Sequence, residues 1–143
     1  LILEILSKDD IYFFVNKDKE SVSLLQEYAG VLKTRKILTE LETLNNWDAF
    51  FKVLFERFKG IVVFDEFQNF MSVNKSIYGI LQEYIDINEN KAGLFIIFSG
   101  STVGLMKKLF SDSKSLNHEF PREPLSKSRG SRTRKTASWR VLT

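Results

Sequence analysis

The chain has 143 residues, of which 43% are hydrophobic and 27% charged, and it contains no cysteine. That length suits one domain with a real core, and the lack of cysteine excludes a disulfide framework and any thiolate-ligated metal site. The formal charge of +3 is unevenly placed: residues 1–114 carry 14 Lys+Arg against 16 Asp+Glu, whereas residues 115–143 carry 7 against 2.

In chain order, residues 1–6 (LILEIL) read as the end of a helix that stops near Lys8-Asp9-Asp10, an acid pair expected to be solvated. Residues 11–15 (IYFFV) form a compact β-branched and aromatic run, the signature of a buried strand. Ser21 has the character of an N-cap, because Val22, Leu24, Leu25, Tyr28, Ala29 and Leu32 follow at helical spacing. A more polar stretch leads to Leu41 and Leu44, expected to be helical in part, and Asn45-Asn46 marks a break. From Trp47 or Asp48 to Phe58 the apolar positions predict a strong helix, with Gly60 as its C-terminal cap. Residues 61–64 (IVVF) are the clearest buried strand and end on Asp65-Glu66. A polar loop is expected next, then an amphipathic helix over Ser76–Ile87, a turn at Lys91-Ala92-Gly93 and a second buried strand at 94–98 (LFIIF). Ser99-Gly100-Ser101-Thr102 follows, and 103–110 reads as a short helix.

Short apolar strands alternating with amphipathic helices predict an α/β fold in three layers, a parallel sheet covered by helices on both faces. Apolar runs such as 61–64 and 94–98 fall far below the roughly 18 residues of a membrane span. The start of the chain, interrupted by Glu4, lacks the basic lead-in of a signal peptide, so a cytoplasmic location is expected. Beyond Pro124 the sequence LSKSRGSRTRKTASWRVLT shows no helical or strand periodicity. Residues 115–143 therefore read as a basic, irregular and disordered tail, or as one that touches nucleic acid or anionic lipid, or as an ending foreign to its domain.

In open parallel sheets, ligands bind beyond the carboxyl ends of the strands, and two such ends carry chemistry. Four apolar residues followed by Asp65 and Glu66 match a Walker B strand. There the first acid holds Mg2+, a hard ion that keeps several waters, and the second can orient or deprotonate an attacking water. The plainer alternative is that the acid pair opens a solvated loop. At the second end, the hydroxyls of Ser99-Gly100-Ser101-Thr102 can contact a phosphate or hold a water; alternatively Ser101 or Thr102 caps the following helix. Gly100 to Gly104, followed by Lys107, is no phosphate loop, because the spacing and the lysine position are wrong. The pattern G-x-x-x-x-G-K-[ST] occurs nowhere in the chain. His118 has no partner at ligand spacing and reads as a surface residue.

Val62-Val63-Phe64-Asp65-Glu66-Phe67-Gln68, the helix over Ser76–Ile87 and Ile96-Ile97-Phe98-Ser99-Gly100-Ser101 together resemble the archaeal ATPase family, an AAA-like branch of the P-loop nucleotidases related to the STAND group. The resemblance spans about residues 1–114. It implies a P-loop NTPase-like fold with ATP and Mg2+ as ligands. By this likeness Asp65 is the Mg2+-associated acid and Glu66 the catalytic base. Ser99 or Ser101 lies where the γ-phosphate is sensed, and Gln68 matches the family's glutamine near the nucleotide. Two departures matter. The family places a strand and a GxxGxGKT-like loop before the helix that opens here at Leu1, and the SPLYGR-like continuation is lost after Lys114-Ser115. The expectation is a partial ATPase domain, residues 1–114, from a disrupted gene, carrying Walker B without Walker A and inactive alone. Its partner would be the rest of the ATPase or another protein. The alternative is a degenerate nucleotidase-fold module that binds nucleic acid or a protein through the basic tail. A two-metal nuclease or phosphatase is disfavoured, because no further acid sits at a strand end.

Overall fold

The computed structural model describes residues 2–101 and, for its backbone, the strand at Trp139–Leu142. Three parallel strands, β1 (Ile11–Phe14), β2 (Gly60–Asp65) and β3 (Leu94–Ser99), lie side by side in that order. Helix α1 (Ile2–Ile5) precedes β1; α2 (Ser21–Thr34) and α3 (Trp47–Arg57) join β1 to β2. A 3-10 turn (Phe67–Asn69), α4 (Phe70–Asn74) and α5 (Ser76–Ile87) join β2 to β3. The expected α/β arrangement with a parallel sheet is present. A fourth strand, β4 (Trp139–Leu142), pairs in parallel with β3, Ile96 lying opposite Trp139. Within the segment expected to be irregular, these four residues alone are described as strand: Trp-Arg-Val-Leu is a β-prone run set among basic residues. The rest of that tail, His118 and the helix expected at 103–110 lie outside the described residues.

Strand order follows sequence order, so right-handed crossovers return α2–α3 and α4–α5 to the same face. Side-chain alternation agrees. Ile11, Phe13, Val62, Phe64, Ile96 and Phe98 belong to the main buried cluster, whereas Tyr12, Ile61, Val63, Phe95 and Ile97, the alternate positions, do not, although Val63 is itself fully buried on the other face. Helices on both faces were expected; among the described residues the layer α2–α5 covers one. The register sets Phe13 opposite Phe64 and Phe64 opposite Phe98. Their rings stack across the sheet with centroids 5.3 and 6.2 Å apart. Phe50 of α3 meets Phe13 edge-on at 5.5 Å, and Trp47 meets Phe70 of α4 edge-on at 5.4 Å. Each such ring contributes about 1.5–3 kcal/mol by burial, with a further 0.5–1.5 or so from ring–ring geometry.

Several local expectations are revised for identifiable reasons. Ser21 is the first helical residue and not the cap, which is Glu20 with no side-chain bond. The Ser21 hydroxyl instead accepts from the indole N–H of buried Trp47 at 2.9 Å. The stretch around Leu41 and Leu44 is turn, not helix. Lys36 has a positive φ of 58° and the side chain of Glu42 accepts from the Thr39 amide at 2.8 Å, while Leu38 and Leu44 pack against the core and Leu41 is 94% exposed, so the buried positions do not fall on one helical face with Leu41. Gly60 opens β2 rather than capping α3. Its φ is +144°, the ring of Phe58 lies 2.8 Å from where a Cβ would stand, and its N–H donates to Gly93. Asp10, expected to be solvated, is buried. It accepts from the Ser7 amide at 2.7 Å and the Ile61 amide at 3.1 Å, tying the starts of β1 and β2 together. Burial pushes its carboxyl pKa up. Those hydrogen bonds and the Arg35 charge outweigh that effect and hold it below the ordinary value.

Phe64→Ala is expected to cost about 3–5 kcal/mol of stability, because the ring is fully buried between Phe13 and Phe98. Leu41→Ala is expected to leave stability essentially unchanged. Urea unfolding of the two variants checks the contrast.

Candidate functional site at the carboxyl ends of the strands

Alternation along β2 sends Phe64 into the aromatic layer and Asp65 to the opposite side at the strand's end. One carboxylate oxygen of Asp65, Oδ2, accepts from the Tyr12 hydroxyl of β1 at 2.5 Å; the other accepts from the Glu66 amide at 3.0 Å. The Asp65 carbonyl also accepts from Val15 at 2.9 Å, which fixes the ends of β1 and β2 to each other. Glu66 has φ 54° and ψ 39°, a left-handed conformation that costs a non-glycine residue about 1 kcal/mol or more. This reversal lets the next residue, Phe67, re-enter the core against Phe98 at 4.5 Å while the Glu66 side chain stays at the site. The 66–75 segment, expected to be a polar loop, is therefore helical in two short pieces anchored by Phe67 and Phe70.

Gln68 Nε2 donates to the Glu66 carboxylate and to Ser101 Oγ, the latter at 3.3 Å. Gln68 Oε1 is buried without a donor and lies where a Cβ on Gly100 would come within 1.9 Å. Ser99 is the last residue of β3, one position beyond the Phe64–Phe98 pair, and so adjoins Asp65 across the two strands. The side chain of Asn69 reaches back to donate to the Val15 carbonyl at 2.8 Å. Of the residues singled out in the sequence, Asp65, Glu66, Gln68 and Ser101 thus share one chain of hydrogen bonds, and Ser99 stands beside it. Tyr12 is the member that sequence reasoning missed. It sits at the second place of IYFFV, the parity that faces Asp65, but only the pairing of β1 with β2 reveals this. Its phenol pKa is pushed up to about 12 by burial first, then by its hydrogen bond to Asp65 and the charges of Asp65 and Glu66.

Among the described residues no group of three or more His, Cys, Asp or Glu side chains converges on a metal position. Two adjacent carboxylates with nearby hydroxyls do not make a dehydrated cage. They fit a cation that keeps most of its water, which is how Mg2+ binds. A triphosphate does not fit the described residues: it needs a run of main-chain N–H groups and a lysine, the chain lacks the G-x-x-x-x-G-K-[ST] pattern, and Gly100 is taken up by its contact with Gln68. A cavity of about 380 Å3 lies at the other end of the sheet, walled by Phe55, Phe58, Ile85, Asn88, Leu94 and Ile96 among others. None of Asp65, Glu66, Gln68, Ser99 or Ser101 lines it, and its walls are mainly apolar.

Comparison of the chain with protein-family models, curated proteins and solved structures gives no match.

Burial is the leading cause that raises the pKa of all four tyrosines, with Tyr12, Tyr78 and Tyr84 each reaching about 12 and Tyr28 also displaced upward. Above pH 10 the unfolded chain loses phenolic protons that the folded chain retains, so stability is complete below that pH and falls as pH rises toward 12. Denaturant unfolding at stepped alkaline pH is expected to show this decline, and Tyr12→Phe is expected to make it shallower.

Proposed function

We propose that this chain is the Mg2+- and water-handling part of an ATP-hydrolysing P-loop nucleotidase domain of the archaeal ATPase type, lacking the triphosphate cradle. The observation that carries this reading is the hydrogen-bonded series Tyr12, Asp65, Glu66, Gln68 and Ser101 at the carboxyl ends of adjacent parallel strands. The run of apolar residues into Asp65-Glu66, the Phe67-Gln68 continuation and the Ser99-Gly100-Ser101 strand end support it from the sequence. Asp65 and Glu66 are the residues that would hold a hydrated Mg2+, which would supply positive charge beside transferring phosphoryl oxygens.

Each residue has a role that follows from its place. Tyr12 and the Glu66 amide hold the Asp65 carboxylate in one orientation, so it presents a fixed charge rather than a mobile one. Glu66 is kept at the surface of the site by its left-handed backbone and is the group placed to accept a proton from water. Ser99 and Ser101 offer hydroxyls on the neighbouring strand, and Gln68 links them to Glu66. Without main-chain amides and a lysine to bind phosphates, most of the nucleotide binding energy is missing. The partner that completes such a site is the rest of an ATPase or another protein. No described helix is long and apolar enough to cross a membrane.

A second reading is favoured by the charge distribution, in which 7 of the 9 ionised Lys, Arg, Asp and Glu residues in 115–143 are basic. In it the fold is a degenerate nucleotidase module that binds nucleic acid through this segment. Steep salt dependence of binding, lost on deleting 127–140, would distinguish it.

The purified 143-residue protein is expected to show no ATP hydrolysis above background. The same assay on Asp65→Asn should give the same rate. Turnover that depends on Asp65 would overturn the incomplete-site reading.

A further inference from the structure

We propose that Gln68 is a positioning residue that couples the two strand ends, its amide nitrogen carrying displacement of the 99–101 turn to the Glu66 carboxylate. One amide group touches both ends. Nε2 donates to Glu66 on one side and to Ser101 Oγ on the other. Its backbone is held independently: Gln68 lies in the 3-10 turn whose Phe67 is fully buried, and the Tyr78 hydroxyl is within 3.2 Å of the Gln68 carbonyl. Any displacement of this residue is therefore confined to its side-chain amide.

The orientation of that amide is set by Glu66. Turning it over would place Oε1 against the carboxylate, oxygen to oxygen, and would remove the donor from Ser101. The cost of the observed orientation is Oε1, buried with no donor. Oε1 is also pressed against Gly100, where a Cβ would stand 1.9 Å away, so the β3 end is shaped around the amide. Glu66 adds a left-handed backbone to the same spot. The strand ends thus hold an unfilled acceptor, a strained residue and a shared donor within three hydrogen-bonding groups. A ligand that takes the Ser101 hydroxyl, or brings a donor to Oε1, removes the reason for the present orientation and frees Glu66.

The meaning of this coupling for water activation rests on the nucleotidase reading above, but the coupling itself is a property of the ligand-free chain and is tested there. In 13C- and 15N-labelled 143-residue protein, Ser101→Ala is expected to shift the Gln68 side-chain amide and the Glu66 carboxylate carbon. In a Gln68→Met background the same change is expected to leave the Glu66 carbon unmoved. An unmoved Glu66 in the Ser101→Ala single variant, or a shift of equal size in the Gln68→Met background, overturns the proposal. Gly100→Ala gives a second route: its methyl group should displace the Gln68 amide and shift Glu66 with Ser101 intact, and an unmoved Glu66 there also overturns it. No nucleotide or metal enters these spectra, so failure of the ATPase reading and failure of the coupling are separate results.

Discussion

Strand β2 runs between β1 and β3, and its side chains must alternate between a face filled with aromatic rings and a face that carries carboxylate chemistry. That alternation ties the core to the proposed site. Phe64 is clamped between Phe13 and Phe98 and cannot turn outward without opening the core. Asp65, one residue further, must then leave the aromatic layer. The tie extends across the sheet, because the register that stacks the three phenylalanines also brings Tyr12 to Asp65 and sets Ser99 beside it. A one-residue slip of β2 would exchange Phe64 and Asp65 between the two faces.

Beyond Asp65 the chain turns back, and the site is built in the reversal. Glu66 takes the left-handed conformation that allows Phe67 to return to the core, so burial of one aromatic ring stabilises the strained backbone of an acid. The two short helical pieces after it are held by Phe67 and Phe70, packed edge-on at 5.4 Å. Rigid packing below fixes the Asp65 carboxylate, and the Gln68 amide above links Glu66 to the β3 end. Such an arrangement suits chemistry in which a charge must be aimed before a ligand arrives.

The elements that rest on periodicity were legible in the sequence. The strands at IYFFV, IVVF and LFIIF and the helix over Ser76–Ile87 follow from apolar spacing alone, and Asp65-Glu66 stands out because it ends such a run. What escaped depends on long-range partners. Asp10 reads as a solvated turn residue until Ile61 is found above it, and Ser21 reads as a cap until the Trp47 indole needs an acceptor. Tyr12 is one aromatic among many until β1 pairs with β2. The helical pieces at 67–74 were obscured because two buried rings, Phe67 and Phe70, are spaced among polar residues that suggest a loop.

In the proposed function, Asp65 and Glu66 hold a hydrated divalent cation next to the β3 end. The most direct measurement is the amide spectrum of the 143-residue protein titrated with Mn2+, a paramagnetic substitute for Mg2+. Resonances of Asp65, Glu66 and residues 99–101 are expected to broaden first, and Asp65→Asn is expected to abolish this selectivity. Broadening spread evenly over the other acidic residues, or unchanged in Asp65→Asn, would contradict it.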